Sequence, residues 1–288
     1  GPVPHGTGPF RSPSPRRSRS PSATIVALIL WGLTVFALYP LIWLIINSFK
    51  TSNEMFDQSW ALPAVWHFQN YVTAWNYGLG HYVVNSLFVT GVSVVAIALI
   101  GALNAFVLTT TDFPGKRLVY GFLLGGMIMP PEVCLFPLFK ILDLFGFYDT
   151  YLAMILPYVA FGLPFATFLL RAHMTTIPRE LYEAAVVDGG GVLRIFWSIY
   201  LPMSRPALAA VGLIMMMRTW NEFIFALTFI ESDGLRTLTI GISTFGDALR
   251  VDWTVLMAGL IISIIPVFAT FLMLQRQFMG GLTQGAVK

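Results

Sequence analysis

The stretch from Val83 to Thr111, VVNSLFVTGVSVVAIALIGALNAFVLTTT, contains no Asp, Glu, Lys or Arg. A helix needs about 20 predominantly apolar residues to cross a bilayer, and this stretch exceeds that. Its apolar residues lack the alternation of a half-buried strand, and it is far longer than the roughly 9–11 residues of a barrel strand. Five more runs of the same kind follow or precede it: Ile25 to Ile46, Leu118 to Phe139 (broken only by Glu132), Thr150 to Leu170, Ala207 to Ile230 (with Arg218 and Glu222 inside) and Trp253 to Gln275. Six such runs in 288 residues leave no room for a large soluble domain. The expected fold is an all-α polytopic membrane bundle of six transmembrane helices.

Composition agrees. Hydrophobic types make up 56% of the chain and charged types 11%, with a mean hydropathy of +0.74. A soluble domain carries about 25% charged residues, so a soluble enzyme is excluded. The abundance of Phe, Trp and Tyr excludes a disordered chain. The single cysteine, Cys134, rules out an internal disulfide and a Cys-based zinc site, and it reads as a small buried hydrophobe. His5, His67, His81 and His173 are scattered and no HExxH occurs, so no metal site is expected. The net charge of +3 does not argue for a nucleic-acid partner, because in a membrane protein the placement of cations matters more than their sum.

That placement is uneven. Arg11, Arg16, Arg17 and Arg19 precede the first run, Lys116 and Arg117 follow the second, Arg171, Arg179, Arg194 and Arg205 follow the fourth, and Arg276 and Lys288 follow the sixth. On the alternate side stand only Lys50, Lys140, Arg236 and Arg250. Positive charge collects on the cytoplasmic side. Both termini and the loops at 112–117 and 171–206 are therefore expected in the cytoplasm. Residues 1–22, rich in Pro, Ser and Arg, read as a disordered cytoplasmic tail, and residues 23–288 as the membrane domain. The run from Ile25 is too long for the h-region of a signal peptide, and no small-residue cleavage site follows it.

Between the fourth and fifth runs lies TTIPRELYEAAVVDGGG, Thr175 to Gly191. Pro178 suits a helix start, Glu180 complements the dipole, and Gly189, Gly190 and Gly191 stop the helix. The result is a helix of about three turns, too short to span. A lipid-lying helix carries Lys and Arg on its polar face. This one has Glu180, Glu183 and Asp188 against Arg179 alone, the wrong sign for an anionic leaflet. It reads as a knob that docks on another protein, with the alanine pair allowing close approach and Glu183 offering a charge.

Glu183-Ala184-Ala185, then Gly189, then Ile199, Leu201 and Pro202 read as EAA-x3-G-x9-I-x-L-P. That pattern resembles the EAA motif of permease subunits in binding-protein-dependent ABC importers, with the loop at about 175–202. Asn47-Ser-Phe-Lys50, Asn70-Tyr71, Asn85-Ser86-Leu87, Phe113 to Arg117, Pro137-Leu-Phe139, Trp220-Asn-Glu-Phe223 and the tail from Gly281 resemble the carbohydrate branch, in particular the maltose-type second permease. The resemblance covers roughly residues 24 to 288 and implies a type I importer (MetI-like) fold in a bacterial plasma membrane. It implies that Glu183, Ala184, Ala185 and Gly189 dock on a cytoplasmic ATPase, and that Ile199, Leu201 and Pro202 fix the return into the fifth span. It implies a second homologous permease, two ATPase subunits that bind ATP and Mg, and an extracytoplasmic sugar-binding protein. The tail from Gly281 resembles one that reaches between the ATPase subunits.

The chain itself shows no Walker A, since Gly115-Lys116-Arg117 lacks the upstream glycine and the following Ser or Thr. It is expected to bind no cofactor and to have no catalytic residue. Arg218 and Glu222, four apart, line a polar cavity, pair across to a partner permease, or neutralise each other as a structural pair. Glu132, beside Pro130 and Pro131, is a candidate for the translocation path or a partner of a neighbouring helix. Trp220 and Asn221 either contact a sugar or pack helices. Gly121 and Gly125 permit close helix contact within the bundle. Trp60, Trp66, Trp75 and Trp253 fit an outer aromatic belt or a surface that meets the binding protein. The loops at about 47–82 and 231–252, the latter with Glu231, Asp233, Arg236, Asp247, Arg250 and Asp252, are expected to receive the sugar-binding protein. Importers of sugar alcohols or glycerol 3-phosphate are the alternative within this class. An ion-coupled secondary transporter would need an internal repeat, and none is evident.

Overall fold

A computed structural model describes residues 21–248 and 252–285, so the expected tail at 1–22 falls almost wholly outside them. Helices dominate, and no strand occurs among the described residues. They run α1 (Pro21–Ser48), α2 (Ser52–Asp57), α3 (Gln69–Ala74), α4 (Gly80–Thr110), α5 (Lys116–Gly125), α6 (Leu135–Leu144), α7 (Tyr151–Met174) and α8 (Arg179–Val187). Then come α9 (Val192–Ile195), α10 (Leu201–Met203), α11 (Arg205–Trp220), α12 (Ile224–Phe229), α13 (Leu238–Ala248) and α14 (Trp253–Gly285). One π turn joins α3 to α4 and another joins α9 to α10.

The chain divides into two compact units between Leu44 and Ile45. The first, as far as described, is α1 up to Leu44, an uncharged helix that carries Pro40. Prolines inside an apolar span are tolerated because neighbouring groups re-satisfy the freed carbonyls.

The second unit is the helical bundle. α4 runs along α7, and α11 packs on α4, α7 and α14. In lipid, helices associate through close packing rather than hydrophobic exclusion, so small residues set their approach. Gly101 on α4 is such a residue: a Cβ there would stand 2.8 Å from the Cβ of Ala166 on α7. Phe122, Leu118 and Leu144 point outward and are more than three-quarters exposed, as side chains bathed in acyl chains would be. Gly121 and Gly125 have open space where a Cβ would sit, so the expected packing role for them inside this bundle is not realised. The four tryptophans assigned to an outer belt are each about half exposed.

Among the described residues, four single helices have the length and composition of a span: Thr24–Ser48, Gln69–Thr110, Tyr151–Met174 and Trp253–Met273. The pair Val192–Met203 and Arg205–Trp220 has that composition only when taken together, and it is bent by 76°, as a broken span or a re-entrant loop is. Two of the apolar runs are broken. Leu118 to Phe139 is α5, a turn, a 3-10 turn at Pro131–Cys134 and then α6. Pro130 and Pro131 remove two amide donors and push the preceding residues out of helical geometry, so one continuous helix cannot form there. Ala207 to Ile230 stops at Trp220 and restarts at Ile224.

Candidate functional site

At one end of the bundle α8 forms a short peg between α7 and the bent pair. Ile177 N–H bonds Met174 O at 3.2 Å to turn the chain out of α7, and Pro178 sits at the N-cap. The stop is made by Asp188 N–H to Ala184 O (3.0 Å), Gly189 N–H to Val186 O (3.0 Å) and Gly190 N–H to Ala185 O (2.8 Å). Gly189 has φ +79°, the left-handed region where a side chain is strained.

One face of the peg is seated. Tyr182 and Ala185 pack on a cluster that includes Ile177, Ile195, Phe196, Tyr200 and Phe106 of α4. The ring centroids of Phe106 and Tyr200 lie 5.0 Å apart, and Tyr182 is 6.5 Å from Phe106 and 6.4 Å from Tyr200. The opposite face is bare: Glu180, Glu183, Ala184 and Val187 are exposed, and Glu183 pairs with Arg179 at 3.2 Å. The alanine pair is therefore split by helical geometry, since successive residues differ by about 100° (3.6 residues per turn). Ala184 faces outward and Ala185 inward. Ile199, Leu201 and Pro202 are half-buried, with Ile199 and Leu201 packed on the same cluster beneath the peg. The aromatic seat was missed by the sequence reading; its signal was Tyr182, one turn before Ala185, followed by Phe196 and Tyr200.

Deeper in the bundle, Glu132, Arg218 and Glu222 line one cavity of about 150 Å³, with Tyr158, Phe161 and Phe225 in its wall. No ion pair joins Arg218 to Glu222 among the described residues. α11 ends at Trp220, so Glu222 no longer shares a helical face with Arg218. Its carboxylate instead accepts from the N–H groups of Phe225 (2.8 Å) and Ala226 (3.2 Å) and from the Tyr158 hydroxyl (2.6 Å). It caps α12 and ties it to α7. Trp220 and Asn221 face elsewhere. The Trp220 indole N–H donates to Ser263 O at 3.2 Å, and the Asn221 amide donates to Met217 O at 2.8 Å. Both border a separate groove with Phe223, Leu238, Thr239 and Ser263.

The loops at the opposite end are tied down. Asn70 donates to Ser48 O and Lys50 O, both at 2.8 Å, and the Tyr71 and Ser48 hydroxyls meet at 2.7 Å. Lys50 is fully buried, with Nζ donating to Gln58 O at 2.7 Å. Burial pushes its ammonium pKa down, and nearby Glu54 pulls the other way. Two stretches singled out by resemblance thus form one knot. Asn85 donates to Gly234 O (3.0 Å) and Arg236 O (2.9 Å), and the Tyr82 hydroxyl donates to Asp233 (2.9 Å), which pairs with Arg236 at 3.1 Å. Asp149, at φ +54°, accepts from Glu231 N–H and Ser232 N–H, both at 2.9 Å, and from the Ser232 hydroxyl. That hydroxyl first, then the backbone donors, hold the Asp149 carboxyl below the usual carboxylate range against the cost of burial. Asp252 accepts from Ser52 (2.9 Å) and Thr254 (2.8 Å). Of the charges expected to meet a delivery protein, Asp233 and Asp252 thus fasten their own loops and Glu231 is exposed. Arg250 and the Asp247 side chain lie outside what is described.

Residues 100–277 match the family model described as "Binding-protein-dependent transport system inner membrane component". The chain is 42% identical to the probable ABC transporter permease protein YurM of Bacillus subtilis (strain 168), over 95% of this chain and 91% of that one. It is 34% identical to the diacetylchitobiose uptake system permease protein NgcG of Streptomyces coelicolor, over 91% of this chain and 87% of that one. In fold it is similar to a chain of a bacterial ABC transporter involved in the import of the acidic polysaccharide alginate, with a TM-score of 0.77 and 24% identity over 94% of this chain and all of that one.

Proposed function

The chain belongs to the family of binding-protein-dependent transport system inner membrane components, and from that premise we propose that it is the permease subunit of an ATP-driven importer of a sugar or oligosaccharide. The observation that carries the proposal is the α8 peg: an acidic, exposed face on a helix whose other face is seated on the ends of α4 and the bent pair. A rigid seat passes a push on α8 to those helices, and interiors packed at crystal density transmit such displacements. Glu183, Ala184 and Gly189 present the docking surface to a cytoplasmic ATPase, and Ala185, Ile199, Leu201 and Pro202 hold it on the bundle. ATP and Mg are held by two ATPase subunits. A second permease completes the passage, and an extracytoplasmic binding protein delivers the cargo. The bias of Lys and Arg supports a cytoplasmic side for the peg and both termini. The sugar class is supported by the relative named for diacetylchitobiose uptake and by the carbohydrate-type stretches knotted at Lys50 and Asn70.

Purification of the tagged chain from its native membrane tests this. An ATPase and a second permease are expected to accompany it, and the reconstituted assembly is expected to take up sugar only with ATP and the binding protein. Uphill uptake by the isolated chain would overturn the proposal.

A further inference from the structure

Three charged side chains from two of the apolar runs meet at one cavity: Glu132 ahead of α6, with Arg218 on α11 and Glu222 in the break before α12. Their situations differ. Both oxygens of Glu222 are engaged, one by Phe225 N–H and the other by Ala226 N–H and the Tyr158 hydroxyl. A carboxylate bound in this way is a fastening between α7 and α12, and little acceptor capacity is left for a visitor. Arg218 and Glu132 are the reverse. Both are exposed, and neither side chain has an ion pair or hydrogen bond to another protein group among the described residues. Ionisable groups at membrane depth are costly, and those left unpaired in a cavity mark a route for polar cargo. Beside them is an aromatic wall, with the rings of Phe161 and Phe225 5.7 Å apart and Tyr158 stacked on Phe225 at 6.3 Å.

We infer that Arg218 and Glu132 are the cargo-contacting groups of a transit subsite for a neutral, hydroxyl-rich ring. The guanidinium only donates and the carboxylate only accepts, whereas a sugar hydroxyl does both and so satisfies the two together. The carbon face of the ring lies against the aromatic wall, the usual division of a small-molecule pocket into an apolar lining and a few placed polar groups. Two carboxylates against one guanidinium leave the cavity with negative potential, which rejects phosphate, sulfonate or carboxylate cargo. The subsite rests on the functional reading above and narrows its cargo to uncharged carbohydrates.

The test uses the whole importer in proteoliposomes with its binding protein. Radiolabelled maltose, melibiose, raffinose, diacetylchitobiose and glycerol 3-phosphate are offered in turn. The wild type is expected to accumulate a neutral sugar. Arg218→Gln and Glu132→Gln are each expected to cut that uptake at least tenfold in complexes that assemble in normal yield, with Arg218→Lys retaining more than Arg218→Gln. Should Arg218→Gln fail to assemble, Glu132→Gln decides, because the Glu132 side chain is exposed and makes no hydrogen bond or ion pair to another protein group among the described residues. Uptake within twofold of wild type in both Gln variants would overturn the subsite and leave the importer reading intact. So would a wild type that accumulates glycerol 3-phosphate alone. A wild type that accumulates none of them with ATP present, although its binding protein binds one of the sugars, would overturn both.

Discussion

Glu183 and Glu222 are the same side chain in opposite circumstances. Glu183 is 63% exposed and is ion-paired with Arg179, whereas Glu222 is held by three donors beside a cavity. An exposed ion pair contributes about 0–1 kcal/mol, so Glu183→Lys should leave membrane insertion and thermal stability nearly unchanged. On the proposed docking of α8 to an ATPase, it should abolish ATP-driven uptake by reversing the charge of the docking face. Preserved uptake in proteoliposomes would count against α8 as the docking peg. Asp149 gives a pH signature. Its folded-state pKa lies below its unfolded value of about 3.9, so its carboxylate stabilises the fold above that value and the contribution is lost as pH falls through the folded pKa. Asp149→Asn should therefore lower the melting temperature most near neutral pH, with the gap to wild type closing in acid. A gap that stays constant with pH would show that the charge at this residue is irrelevant.

At the scale of the element, the breaks matter more than the helices. α12 is only six residues long, and its first amides depend on Glu222. Glu222→Ala leaves two amides and the Tyr158 hydroxyl without their partner, an expected loss of about 3 kcal/mol, and Tyr158→Phe removes one bond for about 1 kcal/mol. Thermal unfolding in detergent reads both, and equal losses would refute the idea that the backbone cap is the main element. α8 depends on its stop. Gly189→Val forces a branched residue into the left-handed region at a cost of roughly 1–2 kcal/mol, relieved only by reshaping the turn. Uptake should fall while insertion persists, and unimpaired uptake would show that the turn tolerates reshaping.

The knotted loops around Lys50 and Asn85 lie at one end of the bundle and the peg at the other, and the proposal puts the peg on the cytoplasmic side because the cations collect there. In a Cys134→Ser background, Glu183→Cys should react with a membrane-impermeant thiol reagent only in inside-out vesicles, and Gln58→Cys only in right-side-out ones. The opposite pattern would reverse the orientation.

Fold class, the apolar runs and the peg were legible because each is set by local composition or spacing: continuous apolar residues, a proline start and a glycine stop. The breaks within two of those runs were signalled by Pro130-Pro131 and by Glu222, but hydropathy averages over them. Of the readings open for Arg218 and Glu222, both line one cavity and no ion pair joins them among the described residues, because spacing of four implies one face only while the helix continues, and α11 ends first. The burial of Lys50, the seat under Tyr182 and the meeting of Glu132 with Arg218 belong to the tertiary structure alone. Each depends on residues tens of positions apart being brought together, and chain order says nothing about which polar group will find a backbone donor or acceptor once the helices have packed.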